Sequence, residues 1–151
     1  MAAKVGEKAP EFSLKSNLDS EISLADYAGK NIVLVFYPLD FSPVCSIQLP
    51  EYSNRKVDFE KNDAVVLGVN RDSVYTHKAW ANEYGIDIPL LADMNGATAD
   101  SYGVYLDAAG ISKRAVFIIN KDGILSFAHI EDSPGDFTLP ADKLIEELAK
   151  L

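Results

Sequence analysis

The sequence predicts an α/β fold in which a mixed central β-sheet is flanked by α-helices, and three observations predict it. Residues 31–37, Asn-Ile-Val-Leu-Val-Phe-Tyr, form a continuous β-branched and aromatic run of the kind buried on both faces of a sheet. Strand-like and helix-like segments alternate after it. Two further apolar runs flank Lys121-Asp122-Gly123, a turn sequence that closes an antiparallel hairpin. The chain has 151 residues and 48% hydrophobic composition, enough to bury roughly two thirds of its unfolded surface in one core. It has no Gly/Ser linker, charge block or internal repeat, so a single domain over residues 1–151 is expected.

Each element has a local reason. Pro38 ends the strand at 31–37. Ser42-Pro43 then opens a helix, with a hydroxyl able to cap free amides and a proline suited to the first helical position. Pro50 cannot donate a backbone hydrogen bond, which predicts a kink there or a break followed by a second helix from Pro50 to about Lys61. Ala64 to Val69 reads as a second buried strand. Ser73 to Tyr84, closed by Gly85, reads as an amphipathic helix with Val74, His77, Trp80, Ala81 and Tyr84 on one face. Ile88 to Leu91 predicts a short strand and Ala97 to Tyr102 a short helix. Ala115 to Asn120 and Ile124 to Ile130 form the hairpin, and Leu139 to Leu151 a last helix whose Leu144, Ile145, Leu148 and Leu151 make a packing stripe. The succession βαβα then ββα is thioredoxin-like, with parallel crossovers that need helical cover and a hairpin as the antiparallel edge.

Composition excludes several classes of function. A formal charge of −9 repels phosphate backbones and anionic lipid surfaces, so neither nucleic acid nor a membrane is an expected partner. No apolar run approaches the ~18 residues of a membrane span. Met1 to Pro10 carries Lys4, Glu7 and Lys8 and reads as no targeting segment, and a single cysteine closes no intramolecular disulfide; a reducing cytoplasmic setting is expected.

The chemistry converges on that cysteine. Cys45 falls in the first turn of the helix opened by Ser42-Pro43, where unpaired backbone amides and the positive end of the helix dipole favour a thiolate, the nucleophilic form. An ordinary lone cysteine is a small buried hydrophobe; this one has a local reason to ionise.

Pro38, Ser42 and Cys45, spaced Pro-xxx-Ser-xx-Cys within Phe-Tyr-Pro-Leu-Asp-Phe-Ser-Pro-Val-Cys, resemble the signature of the peroxiredoxins. Gly6 to Leu14, Leu67 to Asn70, Ser73 to Tyr84, Pro89 to Asp93 and Arg114 to Asn120 resemble family segments in family order. The likeness is greatest to the single-cysteine AhpE-like group and more distant to the bacterioferritin-comigratory type, whose frequent second cysteine is replaced here by Pro50. The resemblance implies that Cys45 attacks a peroxide oxygen and becomes a sulfenic acid. Ser42, where threonine is commoner, would hydrogen-bond peroxide and thiolate, Pro38 would shield the sulfur from water, and Arg114 would favour the thiolate. It also implies hydrogen peroxide or an organic hydroperoxide as substrate and an external thiol as reductant: thioredoxin, glutaredoxin or a low-molecular-weight thiol. A homodimer is implied as well, and no metal or cofactor.

The remaining polar residues have plainer readings. Arg55 and Arg71, the other two arginines, are each able to assist the site, with a helix-surface charge the plainer reading of Arg55. Gln48, one turn after Cys45, is a weak site candidate against the ordinary reading of a solvent-facing polar residue. His77 and His129 lack the neighbours of a metal site and read as satisfied structural histidines. Phe36, Tyr37 and Trp80 read as core, and Phe41 as pocket wall. A thiol-disulfide oxidoreductase is disfavoured because Cys45-Ser46-Ile47-Gln48 lacks the second thiol. A redox sensor or holdase-like interaction protein is the alternative from another class. The peroxidase reading fails if the sulfur is walled off from solvent with Arg114 turned elsewhere.

Overall fold

The computed structural model describes residues 3–151; Met1 and Ala2, the start of the segment read for targeting signals, lie outside the described residues. Strands β1 (Ser13–Lys15) and β2 (Glu21–Ser23) pair as a small antiparallel hairpin. Then follow β3 (Asn31–Phe36), α1 (Cys45–Asn54), α2 (Lys56–Glu60), β4 (Ala64–Asn70), α3 (Val74–Tyr84), β5 (Leu90–Ala92) and α4 (Ala97–Ser101). The chain closes with a two-residue ribbon of β6 (Tyr105–Leu106) and β7 (Ile111–Ser112), then β8 (Ala115–Ile119), β9 (Leu125–Ile130) and α5 (Ala141–Ala149).

The main sheet runs β5-β4-β3-β8-β9. β3, β4 and β5 are parallel to one another, and β8 is antiparallel to both β3 and β9. The mixed sheet is the one predicted, and its centre is the strand read as buried on both faces. Along β3 the two-residue period sorts side chains cleanly. Val33 and Val35, followed by Tyr37, pack with Leu49, Trp80, Leu144 and Leu148 of the helices, while Ile32, Leu34 and Phe36 pack with Phe12, Tyr102 and Phe117 on the other face. α1, α2, α3 and α5 therefore share one face, and the opposite face is covered by short α4 and the N-terminal hairpin. Each fully buried Val, Leu, Ile or Phe contributes about 1.5–3 kcal/mol of transfer free energy. Among the described residues no helix is long and apolar enough to cross a membrane.

Two elements differ from their predicted form. Pro50 lies inside α1, which runs uninterrupted to Asn54; the break comes at Arg55, whose φ of −104° and ψ of 15° depart from helical values. Proline removes one hydrogen bond, and burial of Leu49 and Tyr52 on either side of it holds the turn together. The Ser42 hydroxyl does not cap α1. It donates to the Leu39 carbonyl at 2.8 Å, while its own backbone carbonyl accepts from the Ser46 amide at 2.9 Å. A hydroxyl can bond its local chain as readily as a helix end, and the carbonyl three residues back is the nearer partner. The caps of α3 are as predicted: Ser73 Oγ accepts from the Thr76 amide, and Gly85 is left-handed at φ 65°.

Gly68 of β4 is packed closely against side chains of β5 and α1. A Cβ there would stand 2.8 Å from Leu90 Cδ2, with Tyr37 at 3.2 Å and Leu49 at 3.3 Å. Gly68→Ala is expected to destabilise the protein by about 1–3 kcal/mol through overpacking. Urea denaturation measures this, and an unchanged midpoint would contradict the close approach.

Candidate active site

The ladder between β3 and β8 assembles the site. Phe36 pairs with Ala115, so the next residues along each chain, Tyr37 and Arg114, meet at the strand ends where the chain leaves β3 for α1. Pro38, buried, begins that loop, and Cys45 is the first residue of α1. Arg114 Nη2 donates to Cys45 Sγ at 3.3 Å, which brings together two residues 69 positions apart.

Arg114 is only 2% exposed, and all its acceptors are neutral unless the sulfur is ionised. Nη1 donates to Gln48 Oε1 at 2.6 Å, and Nε and Nη2 both donate to the Pro134 carbonyl, at 3.1 and 2.7 Å. A buried guanidinium without a carboxylate partner is costly. Among the described residues, the Cys45 sulfur is the one hydrogen-bond partner of this guanidinium that can carry negative charge, and it sits at the first residue of α1.

Ser42 stands one turn before the sulfur with its hydroxyl taken up by Leu39. The sulfur itself has no exposed surface. It lies in the core cluster of Tyr37, Leu49 and Trp80, and the 39–44 loop that leads into it exposes Leu39 and Phe41. Phe41 is left-handed, with φ of 66°. For a residue bearing a Cβ that costs about 1–2 kcal/mol, so the loop leading into Cys45 is strained. The condition under which the peroxidase reading fails is met in its first half, burial, and not in its second, since Arg114 points at the sulfur. Two clefts, of about 520 and 440 Å³, lie at the opposite end of the sheet around the β8–β9 turn.

Sequence reasoning undervalued three residues. Gln48 is buried rather than solvent-facing; three positions after Cys45 on one helix face, it accepts from Arg114 and donates to Tyr52 Oη at 3.3 Å. Asp40 and His77 form a second buried group behind the loop. Asp40 accepts from Tyr37 Oη at 2.8 Å and Asn70 Nδ2 at 3.0 Å, and its Oδ2 lies 2.5 Å from His77 Nδ1. His77 Nε2 faces the Leu91 carbonyl at 3.0 Å. A carbonyl only accepts, so Nε2 carries hydrogen and the pair shares one further proton between Nδ1 and Oδ2. Burial, and then the Asp40 charge, push Tyr37 well above the usual phenol range, so it stays a donor to Asp40. His77 is thus structural, as read, but it holds Asp40 in the loop that leads into Cys45. His77→Leu leaves the Asp40 charge without its partner and is expected to cost about 3–5 kcal/mol. Denaturant titration checks this, and a loss below about 1 kcal/mol would show that the pair is not coupled to folding.

Trp80 packs on Tyr37, ring centroids 5.3 Å apart, and its Nε1 donates to Ser46 Oγ at 3.1 Å. The single tryptophan is therefore anchored to the residue next to Cys45. Arg55, read as a surface charge, pairs with Asp58 and Asp142.

Comparison with known proteins places the arrangement. The AhpC/TSA family profile matches residues 5–128. Peroxiredoxin-2 of Pongo abelii is 40% identical over 99% of this chain and 86% of its own length. Alkyl hydroperoxide reductase E of Mycobacterium bovis is 36% identical over 87% of this chain and 88% of its own. Among solved structures, AhpC of Enterococcus faecalis superposes with a TM-score of 0.91 at 31% identity, covering 99% of this chain and 92% of that one. The reduced 2-Cys peroxiredoxin of Plasmodium vivax gives 0.88 at 28% identity, covering 96% and 80%. From a profile over most of the chain, and relatives this similar over nearly its whole length, it follows that the chain belongs to the AhpC/TSA peroxiredoxin family.

Proposed function

We propose that this chain is a thiol-dependent peroxidase acting through Cys45 alone, in a one-cysteine cycle completed by an external thiol. The observation that carries the reading is the 3.3 Å contact from the buried Arg114 guanidinium to the Cys45 sulfur. The thiolate attacks the terminal oxygen of a hydroperoxide. A sulfur–oxygen bond forms as the O–O bond breaks, and the leaving alkoxide or hydroxide takes up a proton to depart as alcohol or water. Cys45 is left as the sulfenic acid. A thiol then condenses with it, releasing water, and a second thiol resolves the mixed disulfide.

In this reading Arg114 and the amides at the start of α1 stabilise charge as the O–O bond stretches. Ser42 turns its hydroxyl from Leu39 to the bound peroxide, and Pro38 keeps water from the sulfur. Peroxide enters as the strained 39–44 loop shifts, with Leu39 and Phe41 forming the rim. The catalytic unit is a single domain. We place it in the cytoplasm as a homodimer, an assembly common among peroxiredoxins, and assign thioredoxin, glutaredoxin or a small thiol as reductant. One cysteine among these 151 residues supports the one-cysteine cycle.

Turnover distinguishes this function from sensing. With a thiol reductant present, a peroxidase consumes many equivalents of peroxide per Cys45, whereas a sensor stops at one. Consumption that halts at one equivalent with every reductant class would overturn the proposal.

A further inference from the structure

The guanidinium of Arg114 is aimed by a loop that nothing in the peroxidase chemistry itself requires. Residues 131–140 leave β9 and return to α5, and the loop touches Arg114 at both backbone and side chain. The Glu131 amide donates to the Arg114 carbonyl at 2.9 Å, and the Pro134 carbonyl accepts twice from the Arg114 side chain. The far end closes the same circuit, since Gln48 bonds Tyr52, whose hydroxyl donates to the Leu139 carbonyl at 2.7 Å. Phe137 packs edge-on against Tyr52, with centroids 6.0 Å apart.

What gives the loop its shape is one buried carboxylate. Glu131, 8% exposed, accepts from the Thr138 amide through Oε2 and from the Thr138 hydroxyl through Oε1, both at 2.8 Å. His129 Nε2 lies 3.1 Å from Oε2. Within the span so closed, the Asp136 amide donates to the Ser133 carbonyl at 2.9 Å, and the turn presents the Pro134 carbonyl inward. We propose that Glu131 is a positioning residue for the reaction: by clasping Thr138 it holds the Pro134 carbonyl that orients Arg114 toward Cys45. This rests on the peroxidase reading and deepens it, because a planar guanidinium that rotates away from Pro134 loses its aim at the sulfur while still bonding Gln48.

Burial acts to push the Glu131 carboxyl up, yet the bonds from Thr138 and His129 outweigh it and hold the group below the usual range. A carboxylate held low contributes stability above its unfolded value of about 4.5, lost only as pH falls through the folded value. The clasp is therefore intact throughout an assay between pH 6.5 and 10. The groups facing the sulfur are Arg114 from β8 and Tyr37 after β3, with the Asp40–His77 pair behind Tyr37.

The test is alkylation of Cys45 by iodoacetamide in Glu131→Ala, Glu131→Gln, Thr138→Val and Thr138→Ser. Glu131→Ala and Thr138→Val are expected to alkylate about fivefold more slowly than the parent at pH 6.5 and to converge with it at pH 10, where the thiolate no longer needs Arg114. Glu131→Gln and Thr138→Ser, which retain a hydrogen-bonded clasp, stay within about twofold of the parent. Parental rates at pH 6.5 in both disruptive variants would overturn the proposal, as would equal slowing at both pH values, the mark of a packing defect. Should Glu131→Ala not fold, Thr138→Val, which removes the hydroxyl half of the clasp and keeps the amide bond, decides. No peroxide enters this assay, so its outcome is separate from that of the turnover test.

Discussion

Replacing Cys45 by serine is expected to lower peroxide reduction by at least about 10³-fold, the scale of losing a nucleophile. A serine hydroxyl stays protonated at neutral pH and no histidine among the described residues is bonded to position 45 to activate it; His77 has both nitrogens committed to Asp40 and Leu91, and His129 bonds Glu131 and Thr138. The oxygen can still accept from Arg114 Nη2, so stability should change by no more than about 1 kcal/mol. Stopped-flow peroxide consumption and urea denaturation measure the two effects. Residual activity within tenfold of the parent would remove Cys45 from the mechanism.

Arg114→Ala carries the second large effect and splits into two parts. Loss of the charge facing the sulfur is expected to slow the reaction with peroxide by about 10²–10³-fold at neutral pH. Loss of the donors leaves Gln48 Oε1 and the Pro134 carbonyl without their partner, at about 1–3 kcal/mol each. Arg114→Lys separates the two, because an ammonium restores charge without the planar fork that reaches Gln48, Pro134 and Cys45 at once. Lysine should therefore recover part of the rate and little of the stability. Full recovery of both would mean that the fork geometry is immaterial.

How far the sequence foretold this site depends on the range of each interaction. The centre of the sheet was legible because the 31–37 run signals burial on both faces by composition alone, and α3 because Ser73 and Gly85 mark its ends by local chemistry. Cys45 was picked out by its place at a helix start, and Ser42, Pro38 and Arg114 by the resemblance of short segments to the peroxiredoxins. What escaped was long-range. Gln48 reads as a solvent residue until β8 brings Arg114 against it, and Asp40 and His77 are 37 positions apart with no pattern linking them. The 131–140 loop has no periodicity to read, and Glu131 acquires its role only because β9 starts it opposite Arg114. The hairpin of β1 and β2 was missed because two three-residue strands carry too little alternation to register. Pro50 misled because propensity forbids what tertiary packing tolerates.

The measurement that bears most directly on the whole account is a single-turnover one. Reduced protein is mixed with one equivalent of hydrogen peroxide, followed by Trp80 fluorescence and by intact mass with peptide mapping. The account predicts a rapid fluorescence change concurrent with one oxygen added at Cys45, both absent in Cys45→Ser. An unmodified Cys45, or oxygen added at the same rate in the serine variant, would contradict it.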